Sequence, residues 1–305
     1  MGSPGVQLSV LMFVVMVSCV VHGQPLVPGF SIFGDSICDV GNNNNRTTLL
    51  KANFPPYGRD FVTHSPTGRW CNGKLAADFT AENLGFTSYP PAYFSPEAEG
   101  QNLLIGANFA SAGSGYYDVT ARLYNAIPLT EQLNHYRDYQ TKLAKIVGPS
   151  QAQTIINGSI YLLSAGSSDF LQNYYINPII HNTYSPDHNQ CVPRLNRDAV
   201  AFNNKLNATA QSLKTRLPDV KIVVFDIYQP LLDLITKPSD NGFFEARRAC
   251  CGTGTFETSL LCNTKSIGTC ANATQYVFWD GFHPSESANK ILADDLLLQG
   301  IDLIS

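Results

Sequence analysis

Two short segments of this 305-residue chain carry side chains that could perform acyl-transfer chemistry together. In the first, the apolar run Phe30–Phe33 leads into Gly34-Asp35-Ser36, which puts Ser36 at the carboxyl end of a predicted strand, where open parallel sheets bind ligands. In the second, Asp280 and His283 stand three residues apart before a predicted helix. A serine hydroxyl becomes nucleophilic when a histidine, held by a carboxylate, takes its proton. The residues thus indicate a candidate serine nucleophile, although Gly-Asp-Ser also favours an ordinary turn.

Two further segments could supply donors to a developing oxyanion. Residues 108–115 and 166–169 are rich in small residues and follow predicted strands, so their backbone N–H groups could approach a substrate carbonyl closely. Such turns are also ordinary in α/β proteins. Ser168 is a rival nucleophile, because residues 166–170 approach the G-x-S-x-G pattern, with Phe170 in place of the last glycine.

Short apolar runs alternate with helical patterns along the chain. The predicted strands are Phe30–Phe33, Leu103–Phe109, Ile160–Ser164 and Ile222–Asp226. The predicted helices are Lys74–Leu84, Leu129–Val147, Phe202–Leu217 and a last one after Ser285, which would be its N-cap. This alternation predicts an α/β sandwich with a parallel sheet covered on both faces. The polar stretch Asn177–Arg197 contains no strand-like run, so a further strand there would be missing.

The composition describes a globular chain, with 44% hydrophobic and 14% charged residues. A net charge of −4 disfavours a basic nucleic-acid binder. The apolar run Leu8–Val21 is short for a membrane span and precedes small residues, so residues 1–23 are predicted to be a cleaved signal peptide. A short membrane anchor and a buried helix are the alternatives. Residues 24–305 are predicted to form one secreted, soluble domain.

The cysteines and sequons fit passage through the secretory pathway. Cys19 would leave with the signal peptide, and the seven cysteines that stay are an odd number. Disulfides are expected in the loop with Cys250, Cys251, Cys262 and Cys270, where three pairings are possible. Cys38 and Cys71 could pair or stay free. Four N-x-S/T sequons begin at Asn45, Asn157, Asn207 and Asn272, and Asn272 is the expected glycan site.

These motifs, in this order, resemble those of the plant GDSL esterase/lipase family, a branch of the SGNH hydrolases. The resemblance covers nearly the whole mature chain, and it is carried by five blocks: residues 33–43, 53–58, 106–111, 166–169 and 278–284. It implies a flavodoxin-like three-layer α/β/α fold and hydrolysis of carboxylic esters of acyl compounds or lipids through an acyl-enzyme, with no metal or organic cofactor. Ser36 would be the nucleophile, His283 the general base and then acid, and Asp280 its orienting partner. The oxyanion donors would be the backbone N–H groups of Ser36 and Gly113 and the side chain of Ser168.

The chain departs from the family pattern in two places. Ser168 stands where the family usually has Asn, which replaces an amide donor by a shorter hydroxyl. Before Cys191 the family usually carries a further helix and strand, and this chain lacks that helix-strand unit. A splice form, a gene-model error or a truncated paralogue would explain the lack. A catalytically impaired ligand-binding protein and an acyltransferase are therefore the alternatives to a secreted esterase.

Overall fold

A computed structural model describes residues 23–175 and 193–304. The predicted signal peptide lies outside the described residues except for Gly23, and so do Cys191 and most of the polar stretch Asn177–Arg197.

Two parallel strands form the sheet that positions the site. Strand β1 spans Phe30–Gly34 and β2 spans Ile160–Ser164, in a register that pairs Phe30 with Ile160 and Gly34 with Ser164. Strand β1 is the more buried, because Asn108 forms a parallel bridge with Ile32 on its other side. The predicted strands at these two positions are confirmed, and so is a parallel α/β arrangement. Within the described residues the sheet has these two strands only, short of a complete three-layer sandwich.

Two predicted strands are wrong. Instead of a strand over Leu103–Phe109, Gly100–Ile105 forms a 3₁₀ helix, and Gly106 turns the chain at φ +100°, against the backbone of Phe30. The run Ile222–Asp226 is irregular. No described strand pairs with this run. Instead, the Asp226 N–H donates to the Gln299 side chain, and that side chain donates to the Asp226 carbonyl.

Helices pack around the sheet. Their bounds are α1 Ala76–Asn83, α2 Asp118–Leu123, α3 Leu129–Val147, α4 Pro149–Gly158, a π-helical segment Asp169–Tyr175, α5 Pro193–Arg216, α6 Tyr228–Thr236, α7 Glu286–Gln299 and α8 Ile301–Ile304. Further 3₁₀ segments are Pro238–Asn241, Ser259–Leu261 and Ala273–Gln275. The helices predicted near α1, α3, α5 and α7 are confirmed, with α5 starting earlier than expected. Ser285 caps α7 through a bond from the Ala288 N–H, as predicted.

Two disulfides cross-link the segment that precedes Asp280 and His283. Cys250 pairs with Cys270 and Cys251 pairs with Cys262, one of the three pairings left open by the sequence. Cys38 and Cys71 are buried free thiols. Among the described residues, none of the helices has both the length and the apolar character that crossing a bilayer requires.

Candidate active site

A continuous chain of hydrogen bonds joins Ser36, His283 and Asp280. The Nε2 atom of His283 lies 2.8 Å from the Ser36 Oγ, and its Nδ1 lies 2.7 Å from the Asp280 Oδ1. Ser36 and His283 are 247 residues apart in the sequence, and all three residues are buried. Trp70 packs against the imidazole, with ring centroids 5.0 Å apart. The fold therefore brings all three residues proposed for proton transfer into contact.

Asp280 is surrounded by donors that hold it as a carboxylate. Its Oδ1 accepts the backbone N–H groups of Phe282 and His283, and its Oδ2 accepts the hydroxyls of Tyr57 at 2.6 Å and Thr258 at 3.0 Å. Burial alone raises the pKa of Asp280, but the neighbouring imidazole and these hydrogen bonds outweigh it and leave that pKa below its ordinary value. The carboxylate can thus keep one ring orientation and stabilise a protonated His283.

The turn that carries Ser36 begins where β1 ends. Gly34 has φ +139°, a conformation that favours glycine, and a Cβ there would collide with the backbone of Ser164 in β2. The Asp35 N–H then donates to the Ser164 carbonyl at 3.1 Å. At this close contact between the strands the chain leaves β1 and enters the turn, which places Ser36 at the carboxyl edge of the sheet.

Side chains just after Ser36 tie this turn to the loop that follows residue 108. The carboxylate of Asp39 accepts the Ala112 N–H at 2.9 Å, and the Asn42 amide donates to the Asn108 and Ala110 carbonyls, both at 2.8 Å. Asn43 makes a similar bond to the Ala112 carbonyl at 3.0 Å. Asp39, Asn42 and Asn43 therefore fix the turn of Ser36 relative to the loop after residue 108, which explains their Asp-x-x-Asn-Asn spacing.

The loop that carries Gly113, one of the expected oxyanion donors, lies beside the turn of Ser36. The Ser111 N–H donates to the Gly34 carbonyl at 2.9 Å, which sets the loop with Gly113 beside the serine turn. Gly113 has φ +90°, and no described residue accepts a hydrogen bond from its N–H or from that of Ser36. Ser168 is buried just after β2, four residues beyond Ser164. Two backbone donors thus stay available for a ligand.

The contacts of Gln132 and Asp169 beside the site could not be predicted from the sequence. Gln132 of α3 is fully buried; its Oε1 accepts the Gly34 N–H and its Nε2 donates to the Gly34 carbonyl, both at 2.9 Å. Asp169 accepts the Tyr116 N–H at 2.7 Å and the Thr120 hydroxyl at 2.7 Å. Asp169 was visible as part of its motif, whereas Gln132 had no signal beyond its place in a predicted helix.

Asp35 is a buried carboxyl group beside the nucleophile. Its Oδ1 accepts the Ile37 N–H at 3.2 Å, and its Oδ2 has no hydrogen-bond partner among the described residues. Burial raises the pKa of Asp35 to about 7, against the opposing effects of the Ile37 bond and the nearby His283.

Other chemistry-bearing residues lie apart from this centre. Ser168, the rival nucleophile, has no hydrogen bond to a histidine in the described part of the chain. His135 lies among the aromatic rings of Tyr93 and Phe94, and His64 is exposed with its Nδ1 at 2.9 Å from the Arg59 carbonyl. His181 and His188 lie outside the described residues. Residues 23–175 and 193–304 contain no cluster of His, Cys, Asp or Glu suited to a metal ion.

Comparison with known proteins identifies relatives over most of the chain. A family model described as GDSL-like Lipase/Acylhydrolase matches residues 31–189 and 174–296. The chain is similar to three Arabidopsis thaliana proteins. GDSL esterase/lipase At5g22810 is 57% identical over 339 residues, which cover 95% of this chain and 94% of the relative. GDSL esterase/lipase At5g03820 is 55% identical over 331 residues, with 93% and 94% covered, and GDSL esterase/lipase APG is 54% identical over 326 residues, with 92% of each covered.

The alignments also show that this chain lacks positions present in its relatives. The alignment with At5g22810 is 339 residues long, more than the 305 residues of this chain, so it contains positions that this chain does not fill. The two matches to the family model overlap at residues 174–189, within the region where the sequence lacks an expected strand.

Proposed function

Because this chain belongs to the GDSL-like lipase/acylhydrolase family, whose relatives are named esterases and lipases, we propose that it is an exported serine hydrolase of acyl or lipid esters. Membership of the family supports ester hydrolysis. The acyl-enzyme route is supported chiefly by one observation, the hydrogen-bonded chain from Ser36 through His283 to Asp280.

In the first half-reaction, the Ser36 Oγ attacks the ester carbonyl while its proton passes to His283 Nε2, 2.8 Å away. The carbonyl oxygen becomes an oxyanion that accepts hydrogen bonds from the N–H groups of Ser36 and Gly113 and from the Ser168 hydroxyl. His283 then gives its proton to the leaving alcohol, and the acyl group stays on Ser36. Asp280 stabilises the imidazolium throughout.

In the second half-reaction, water attacks the acyl-enzyme and His283 takes its proton. The resulting tetrahedral intermediate collapses, Ser36 leaves with a proton from His283, and a carboxylic acid is released. The Ser36 proton leaves on the alcohol and a proton from water replaces it, so Ser36 and His283 both regain their starting protonation states. A hydroxyl acceptor in place of water would make the same chain an acyltransferase.

The test is turnover of a short-chain p-nitrophenyl ester by the wild-type chain and by Ser36→Ala. We expect Ser36→Ala to lose roughly 10⁴-fold or more in kcat, because no other group can form the acyl-enzyme. Ser65→Ala, which changes an exposed serine, is the matched control and should keep wild-type turnover. Equal rates in the wild type and Ser36→Ala, or fluorophosphonate labelling of Ser168 instead of Ser36, would contradict the proposal.

Export is part of the same proposal. It is supported by the apolar leader, by the two disulfides and by the exposure of all four sequon asparagines. Intact-mass measurement on protein collected from the culture medium should give a chain that starts after Gly23 and carries a glycan on Asn272. An uncleaved chain retained in the cell would contradict export and leave the chemistry intact.

A further inference from the structure

Five apolar residues with exposed surface lie around the turn that carries His283. They are defined here as the apolar rim: Leu49, Phe256, Leu260, Leu261 and Phe282, each between 36% and 72% exposed. Single exposed apolar side chains are normal, but a cluster next to a catalytic group is a marker of an interaction surface.

Backbone contacts join the apolar rim to the catalytic turn. The Gly281 N–H donates to the Glu257 carbonyl at 2.8 Å, so Phe256 lies directly against the turn. Thr258 reaches the Asp280 carboxylate at 3.0 Å, and the Ser259 Oγ donates to the Leu49 carbonyl at 2.7 Å. The rim therefore lies beside the turn that carries Asp280 and His283 and is joined to it by backbone contacts.

The segment that carries most of the rim has a fixed conformation. The disulfide Cys251–Cys262 closes it, and the buried Glu257 carboxylate accepts the N–H groups of Thr253, Thr255 and Phe256. Ser259 has φ +48°, and its N–H donates to the Tyr57 hydroxyl at 2.9 Å. A fixed loop that holds Leu260 and Leu261 outward loses little conformational entropy when those side chains become buried against a partner.

The local charge differs in sign from that of the whole chain. Residues 245–270 contain three exposed cations, Arg247, Arg248 and Lys265, none of which forms an ion pair with a described residue. Against them stand Glu245 and the buried Glu257, so this segment carries a net charge of +1. The whole chain carries −4. Apolar side chains accompanied by cations are the combination that binds an anionic lipid surface, where the cations meet headgroups and the apolar groups enter the acyl boundary.

We propose that the apolar rim docks this protein on an anionic lipid surface. The rim lies beside the turn that carries His283, so docking would bring Ser36 close to the esters of that surface. The docking itself needs no catalysis, and only the delivery of esters rests on the function proposed above.

The test is sedimentation of the mature Ser36→Ala chain with phosphatidylcholine vesicles, with and without phosphatidylglycerol. Binding should rise with phosphatidylglycerol and fall with salt. Replacing Phe256, Leu260 and Leu261 together by Ser should lower the partition coefficient at least ~10-fold, because three apolar side chains no longer enter the lipid. Leu298→Ser is the matched control: Leu298 is 73% exposed near the far end of α7, and its variant should bind normally.

A second pair of variants guards against loss of fold. The fluorescence of Leu260→Trp should shift to shorter wavelength when anionic vesicles are added, and that of Leu298→Trp should not. Absence of both vesicle binding and the shift would overturn the proposal, as would equal losses in the rim and control variants. The parent chain could instead form a dimer that the triple Ser variant abolishes, with no vesicle binding. That result would show that the rim binds a second copy of the chain, and it would overturn the proposal.

The two proposals fail separately. A wild-type chain that hydrolyses a soluble ester without binding vesicles overturns the docking alone. A chain that binds vesicles through the rim without hydrolysing any ester overturns the proposed function alone.

Discussion

At the scale of single residues, Ser168 is the point at which this chain departs from the family pattern inside the site. Ser168 is buried just after β2, and we propose its hydroxyl as the third oxyanion donor at a position where the family resemblance predicts an Asn amide. Loss of one oxyanion donor costs on the order of 10² to 10³ in kcat in other acyl-transfer enzymes. A short hydroxyl that still donates supplies part of that stabilisation.

We predict that Ser168→Ala lowers kcat by up to about 10²-fold and that Ser168→Asn keeps or raises wild-type turnover. Steady-state hydrolysis of a soluble ester measures both. Ser167→Ala, which changes the exposed neighbour, is the control and should leave kcat unchanged. Fluorophosphonate should still label Ser36 in Ser168→Ala. Unchanged turnover in Ser168→Ala would remove Ser168 from the oxyanion site.

Asp35 predicts a pH dependence of stability. Its pKa is raised from 3.8 to about 7 by burial, so between these values the folded chain keeps a proton that the unfolded chain has released. The free energy of unfolding therefore falls as pH rises from about 4 to about 7, by an amount on the order of 4 kcal/mol for a shift of this size. Asp39, whose burial raises its pKa to about 6, adds to the same slope.

We predict that Asp35→Asn reduces this decline, because an amide keeps the bond from Ile37 and never ionises. Urea unfolding across that pH range measures it. Asp219→Asn changes an exposed carboxylate and should reproduce the wild-type slope. If Asp35→Asn and the wild type have the same slope, Asp35 ionises normally in the folded chain.

At the scale of elements, Asp169 joins two loops that follow different strands. It comes directly after Ser168 at the end of β2, and its carboxylate accepts the Tyr116 N–H and the Thr120 hydroxyl at the start of α2. Gly115 is needed there, because a Cβ would collide with this carboxylate. Asp169 therefore sets the distance between the loops of Gly113 and Ser168.

We predict that Asp169→Asn lowers kcat by about 10- to 100-fold with a smaller change in KM. The amide nitrogen that replaces one carboxylate oxygen cannot accept the bond made to that oxygen, so one of the two ties between the loops is lost. Asp118→Asn, in the same helix start, is the control. A thermal melt distinguishes this positioning role from general destabilisation, since the ester assay is run well below the melting temperature. Equal kcat in the two variants would contradict the role.

At the scale of the whole molecule, the sheet is unevenly covered. Strand β1 is paired on both sides, with β2 and with the segment around Asn108, whereas β2 has one partner among the described residues. Tyr161 and Leu163 of β2 are 44% and 50% exposed. Strand edges with exposed apolar residues invite pairing with other chains. The shorter length of this chain relative to its relatives fits a missing helix and strand, and transcript sequencing decides whether the message encodes them.

We predict that backbone amides of Ile160–Ser164 exchange hydrogen faster than those of Phe30–Gly34, because an edge strand opens more readily than an enclosed one. Hydrogen exchange followed by mass spectrometry of the two peptides measures this directly. Equal protection in both peptides would mean that another part of the chain covers β2.

The sequence alone predicted the candidate catalytic residues and several of the local elements. Side-chain type, apolar periodicity and capping act over a few residues, and they suffice for local features. Such features are the serine at a strand end, the spacing of Asp280 and His283, strands β1 and β2, helix α3 and the Ser285 cap. The predicted strand over Leu103–Phe109 is wrong because its first residues belong to the 3₁₀ helix Gly100–Ile105, which leaves only the segment around Asn108 paired with β1.

Only the tertiary structure decided which distant groups meet. The contact between Ser36 and His283 spans 247 residues. The hydrogen bonds from Tyr57 and Thr258 to Asp280 bring together three separate segments of the chain. The choice of disulfide pairs and the roles of Gln132 and Asp169 also depended on the fold. Such contacts are set by the packing of whole elements against one another, because residues far apart in sequence approach only when the core between them forms.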